Sequence, residues 1–399
     1  MSAAPTTRRT ADAPIAPAWL ALLAGPLSFG ITGPTLVLAE IARDLGVSLV
    51  GAASVVTAFG WGIAVGTPLA GGLLARRGLR TALVVAALLV AAGAVLVIAV
   101  PVLAVLVVGT ALQALGAAGF TVVAMSIAGS AAAMGTVTAS LAVLGSIAPL
   151  VGSQVAAAWG WPVALVMPVL ALLAVPAVLR AGTSGGRQAG RFDLAGAILL
   201  VAWVTALVML THSPVAAAVA ALALTALLAW HVRRRPAGFV PVELVRAPRF
   251  LVASGLALAL AVVNFGIVYA APAMVTDLTG WTSGQLGLAL LWPYLGGGAV
   301  SWFLVSGSAR LSFPVWVATL AAGAVAAPAI VAFGNGSVAL LFAGMAIGSL
   351  AASTGNGALA LWAGAAVPQA VRPTAMGLFT LFYLLGAAFG PVLAALAVG

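Results

Sequence analysis

Cysteine is absent from this chain, lysine is absent, and Asp and Glu together number 6. Without cysteine there is no disulfide, no thiol nucleophile and no thiolate metal site. The 2 histidines, His212 and His231, both stand at the ends of apolar runs, too few and too scattered for a histidine-built metal centre. No cofactor is expected, and no His–acid cluster or nucleophile–base pair points to an enzyme. Charged residues make up only 6 % of the 399 positions. A soluble globular chain carries about 25 %, so a water-facing surface cannot be built here. That excludes a soluble enzyme, a disordered regulator and a secreted disulfide scaffold.

Hydrophobic side chains make up 64 % of the sequence. They gather in thirteen runs near 19–39, 50–75, 81–100, 102–128, 136–158, 162–180, 194–211, 214–232, 250–274, 283–306, 313–333, 337–363 and 373–397. A bilayer core is crossed by about 20 apolar residues in a helix. Lipid offers the backbone no hydrogen bonds, so each run is expected to be helical. Nothing alternates as barrel strands would. The expected class is an all-α polytopic membrane protein with about 13 transmembrane helices. The full-length first run implies a retained helix rather than a removed signal peptide.

The net charge of +10 comes from arginines in the gaps between runs. With the N-terminus inside, Arg8, Arg9, Arg76, Arg77, Arg80, Arg180, Arg187, Arg191, Arg233, Arg234, Arg235, Arg246, Arg249, Arg310 and Arg372 all fall on the inner side, and only Arg43 falls outside. This is the positive-inside pattern, so the arginines read as topology signals and no nucleic acid is expected as a partner. The bilayer is the expected partner, the location is the plasma membrane (a bacterial inner membrane), and the chain is expected to be a monomer.

Several segments carry a family likeness, in order. Gly71-Gly72-Leu73-Leu74-Ala75-Arg76-Arg77-Gly78-Leu79-Arg80 resembles the cytoplasmic loop signature of the major facilitator superfamily. Leu38 to Gly46 before it, and Gln113 with Gly116, Pro149 with Gly152, and Trp159-Gly160-Trp161 after it, look like other landmarks of the same family. Phe192-Asp193-Leu194-Ala195-Gly196, Pro241 to Phe250, and Gly280 to Gly287 resemble the fourteen-helix drug:proton antiporter branch. Gly386, Gly390 and Pro391 repeat the pattern around Pro149, and Arg310 stands where Arg76 and Arg77 stand.

The resemblance implies two bundles with a binding site between them. It divides the chain into a tail (1–18), a six-helix bundle (19–180), a two-helix insertion with flanking loops (181–249) and a second bundle with five helices visible (250–399). The family's last helix is expected to be missing.

The departures all remove charge. Ala75 replaces the loop acid, Thr110 the fourth-helix arginine and Gly30 an acid of the first helix, while Ala148 replaces the glycine before Pro149. Proton coupling in a membrane needs an embedded ionisable group, and the best acids available are Glu40 and Asp277 at the outer ends. The expected function is therefore alternating-access export of small lipophilic compounds, with weak or absent proton coupling. Proton antiport through Glu40 or Asp277 and a non-transporting receptor or scaffold stand as alternatives. The expected cavity groups are Gln113, Gln154, Asn264, Trp292, Tyr294, Asn356 and Tyr383. The alternative reading is interhelical glue for the polar groups and a lipid-facing or core position for Trp292. The expected packing sites are Gly62, Gly66, Pro149, Gly152, Gly386, Gly390 and Pro391.

Overall fold

The computed structural model describes residues 15–181, 192–210, 213–281, 283–334 and 336–398. Arg8, Arg9, Asp12, Arg187, Arg191, His212, Thr282 and Gly399 lie outside the described residues. Among those described there are helices and no strands. They are α1 (Pro17–Ala24), α2 (Leu27–Thr32), α3 (Leu38–Leu45), α4 (Leu49–Arg77), α5 (Leu79–Ala99), α6 (Leu103–Ile127), α7 (Ala131–Trp159), α8 (Trp161–Leu165), α9 (Val175–Ala181), α10 (Leu194–Met209) and α11 (Pro214–Arg234). There follow α12 (Val242–Val245), α13 (Pro248–Thr279), α14 (Ser283–Ser306), α15 (Phe313–Phe333), α16 (Val338–Ala365) and α17 (Arg372–Val398).

Eleven helical stretches are long and apolar enough to cross a membrane, and two shorter apolar ones, Met167–Arg180 and Leu194–Met209, occupy the other two runs. The first run is not one rod. Pro26 separates α1 from α2, and Gly33–Leu36 tightens into a 3-10 turn, because a proline cannot donate to the preceding turn. Glu40 consequently does not end a membrane span; it sits in the first turn of the separate amphipathic helix α3. Ile41 of α3 is fully buried, Arg43 and Asp44 face out, and Gly46 closes the helix at φ +62°. The Trp161 indole N–H donates to Asp44 Oδ2 at 2.8 Å and pins α3 to the top of the bundle.

The packing repeats itself. Both α4 and α5 pack on α6, as α14 and α15 pack on α16, and α7 packs on α1 and α2 as α17 packs on α13. Two seams join the halves, α4 against α17 and α7 against α14. The pair α10–α11 leans on α4 through α10, while the apolar surface of α11 stays largely uncovered.

One end of the molecule carries Arg76, Arg77, Arg80, Arg180, Arg233, Arg234, Arg235, Arg246, Arg249, Arg310 and Arg372. Toward it, residues 116–125 of α6, 351–360 of α16 and 374–381 of α17 are buried without a gap. Eight to ten consecutive residues cover every face of a helix, so this end is closed all round. Toward the other end the same helices show partly exposed positions: Val108 and Leu112 of α6, Tyr383 and Ala387 of α17, Ile347 of α16. The molecule is therefore sealed at its arginine-rich end and looser at the opposite one.

Candidate functional site

The seal is made of small residues and short contacts. On the α4–α17 seam, a Cβ on Gly71 would lie 2.5 Å from the Pro373 carbonyl oxygen, and one on Gly377 2.5 Å from that of Thr67. The Thr380 hydroxyl of α17 reaches Met125 Sδ of α6 at 3.6 Å. On the α7–α14 seam the Trp302 indole N–H donates to Thr136 Oγ1 at 3.0 Å, and Gly135 faces Val305 and Ser306. The residue at the position of the family's loop acid, Ala75, is fully buried here.

The neutral polar groups divide by location. Asn264 Oδ1, Tyr294 Oη and Asn356 Oδ1 are buried side-chain atoms without a hydrogen-bond partner. Asn264 on α13 faces Gly348 of α16, and the Tyr294 carbonyl on α14 accepts from the Ser349 hydroxyl at 3.2 Å. These two residues therefore approach one turn of α16 from two sides. Tyr383 on α17 meets Phe265 of α13 edge to face, 6.4 Å between centroids. Asn356 lies in the fully buried stretch of α16, beyond Gly355, which faces Leu260 of α13.

Four residues stand apart from this group. Gln113 is 0 % exposed with both amide atoms unpartnered, and its Cγ packs where α5 crosses at Gly93. Trp292 is 69 % exposed on a face of α14 that runs from Leu288 through Gly296 and Ala299 to Phe303. An exposed stripe that continues past the sealed end faces lipid, so Trp292 does not join the polar group. Gln154 is exposed near the end of α7, and Asp277 is exposed near the end of α13. The mid-run indoles are likewise occupied: Trp61 donates to Thr205 at 2.9 Å and Trp203 to Thr225 at 2.8 Å.

Several glycines mark close helix crossings. A Cβ on Gly62 or Gly66 would press on α6, one on Gly152 on the Gly33 carbonyl, and those on Gly386 and Gly390 on the α13 backbone. Pro149 and Pro391 lie inside α7 and α17. Gly78 turns at φ +83° between α4 and α5, with Arg77 and Arg80 exposed on either side.

The cluster that sequence reading missed is ionic. Asp193, 6 % exposed, caps α10: Oδ1 accepts from the Gly196 N–H at 3.1 Å, and Oδ2 from the Phe239 N–H at 2.9 Å and His231 Nε2 at 2.7 Å. Arg76, 8 % exposed, donates from Nη2 to the Gly238 carbonyl at 2.7 Å and lies over the Phe192 ring. Burial alone would push the Asp193 carboxyl up. The hydrogen bonds from His231, Phe239 and Gly196, together with the charge of His231, outweigh it and hold the group below its ordinary value. The one sequence signal was the Phe-Asp-Leu-Ala-Gly phrase, with an N-cap acid ahead of an apolar run. Among the described residues no three His, Asp or Glu converge as metal ligands.

Among solved structures the fold matches the crystal structure of the human organic anion transporter MFSD10 (TETRAN), with a TM-score of 0.63 and 17 % identity over 96 % of this chain and 92 % of that one. No curated protein matches. The Major Facilitator Superfamily profile matches residues 18–391. With its two helical sets joined along two seams, and a profile that spans nearly the whole sequence, the chain belongs to the Major Facilitator Superfamily.

Proposed function

We propose that this transporter exports small lipophilic compounds by alternating access, with the arginine-rich end facing the cytoplasm of a bacterial cell and the looser end facing out. The observation that carries the reading is the character of the inner helices: their unpartnered groups away from the arginine-rich end are neutral, Asn264 and Tyr294 above all, set among apolar and aromatic side chains. Such a lining suits weakly charged, lipophilic solutes that offer one or two hydrogen bonds. It does not suit the organic anions in the name of the structural neighbour, because Arg76 and Arg372 stand at helix ends. Glu40 on α3 and exposed Asp277 both lie at the rim. Neither is enclosed as a proton carrier must be, so the proposed cycle runs on the substrate gradient with little or no proton flux.

Proteoliposomes loaded with a hydrophobic dye test this. Efflux above that of protein-free vesicles is expected, saturable and unaffected by collapsing a pH gradient. Efflux no faster than the lipid leak overturns the transport reading. Efflux that stops when the pH gradient is collapsed favours antiport.

A further inference from the structure

The inserted pair α10–α11 is tied to α4 at the closed end, and the tie is more specific than helix packing. The segment 235–247 leaves α11 and runs straight into α13, the first long helix of the second half. Its Phe239 is fully buried and packs on α4 so closely that a Cβ on Gly72 would stand 2.5 Å from the ring. One turn further along α4, Arg76 donates to the Gly238 carbonyl at 2.7 Å. Phe192 packs edge to face on Phe239, 5.7 Å between centroids, beneath the Arg76 guanidinium.

Asp193 fixes the segment in place. A single carboxylate holds the Phe239 N–H, the end of α11 through His231, and the first turn of α10 through Gly196. A Cβ on Gly238 would lie 2.7 Å from Asp193 Oδ2, so the segment can approach this closely only because the position is glycine. Gly71, on the turn of α4 that carries Gly72, makes the seam with α17. The same stretch of α4 therefore bears both the seam and the strap.

The geometry points to a clasp. The 235–247 segment, locked by Asp193, straps α4 of the first half to α13 of the second and holds the arginine-rich end shut, so α10–α11 is a conformational device. Opening that end requires the Arg76–Gly238 contact and the seat of Phe239 to give way, and the strength of the Asp193 network sets how often this happens. A buried charge-assisted network suits such a role, because each contact is worth more than a surface pair yet is lost as a unit.

The absence of cysteine makes the test direct. One cysteine is placed at Thr380, 5 % exposed in the seam, and in separate protein another at Val90, fully buried between α5 and α6. Maleimide labelling rates of the purified full chain are then compared with and without Asp193→Asn and Arg76→Gln. Loss of one charge-assisted bond from the closed state alone is expected to speed labelling at Thr380 about tenfold, with Val90 unchanged. Unchanged labelling at Thr380 in both variants overturns the clasp. So does a rise at both positions in both variants, which is general loosening. If Asp193→Asn exposes both positions, a rise at Thr380 alone in the milder Arg76→Gln supports the clasp.

Discussion

Gly71 of α4 and Gly377 of α17 face each other across the closed seam, where a Cβ on either residue would stand 3.2 Å from the other's Cα. Each would also lie 2.5 Å from a carbonyl oxygen of the opposite helix, Pro373 for Gly71 and Thr67 for Gly377. The obstacle is backbone on both sides, so no rotamer change relieves it. Closure of this end depends on two missing methyl groups.

Gly377→Val is therefore expected to destabilise the closed form by about 1–3 kcal/mol, the usual cost of overpacking. Gly60→Ala, where nothing lies within 4 Å of the added carbon, serves as the comparison. Thermal melting in detergent should fall for the first and not for the second.

Trp302 and Thr136 bridge the other seam in a partly exposed setting. Interhelical hydrogen bonds in membrane proteins average about 0.6 kcal/mol. A double-mutant cycle of Trp302→Phe and Thr136→Val is expected to give a coupling of about that size, well below the cost at Gly377.

Asp193 is held below its ordinary value in the folded protein, so it binds protons less readily there than in the unfolded chain. Its stabilisation is fully present above the unfolded value, about 3.9, and is lost as pH falls toward the folded value. The melting-temperature gap between the parent and Asp193→Asn should narrow as pH falls below about 4. A gap that fails to narrow below about pH 4 contradicts the assignment.

Asn264 and Asn356 separate glue from ligand contact. Their Oδ1 atoms have no protein partner, so replacement by leucine should change stability by less than about 1 kcal/mol. If the groups meet substrate, transport by Asn264→Leu should show a raised KM at unchanged stability. Transport identical to the parent in both variants would remove them from the binding site.

Glu40→Gln and Asp277→Asn are expected to leave dye efflux as in the parent. Abolition of a substrate-driven proton flux by either change would restore the antiport mechanism.

Much of this protein was legible in one dimension. Long apolar runs must be helices in lipid, so α5 at Leu79–Ala99 and α15 at Phe313–Phe333 fall within two residues of the runs at 81–100 and 313–333. The Gly-Pro patterns around Pro149 and Pro391 were likewise readable, because close helix contact demands small residues at fixed spacing. The break of the first run was less so. Apolarity continues across Pro26 and Gly33, and only the φ/ψ limits of proline and the amphipathic change at Leu38 divide it.

The sequence by itself determined the class, the helical spans and the segregation of charge, since each follows from local chemistry repeated along the chain. Only the tertiary structure decided which end is sealed and which polar groups meet. The mid-run indoles of Trp61 and Trp203 are taken up by Thr205 and Thr225 of neighbouring helices, a pairing that only packing creates. Arg76 and Asp193 are separated by the last four apolar runs of the first bundle, and Asp193 and His231 by a helix pair. Their union depends on how whole helices pack, and no local pattern encodes that.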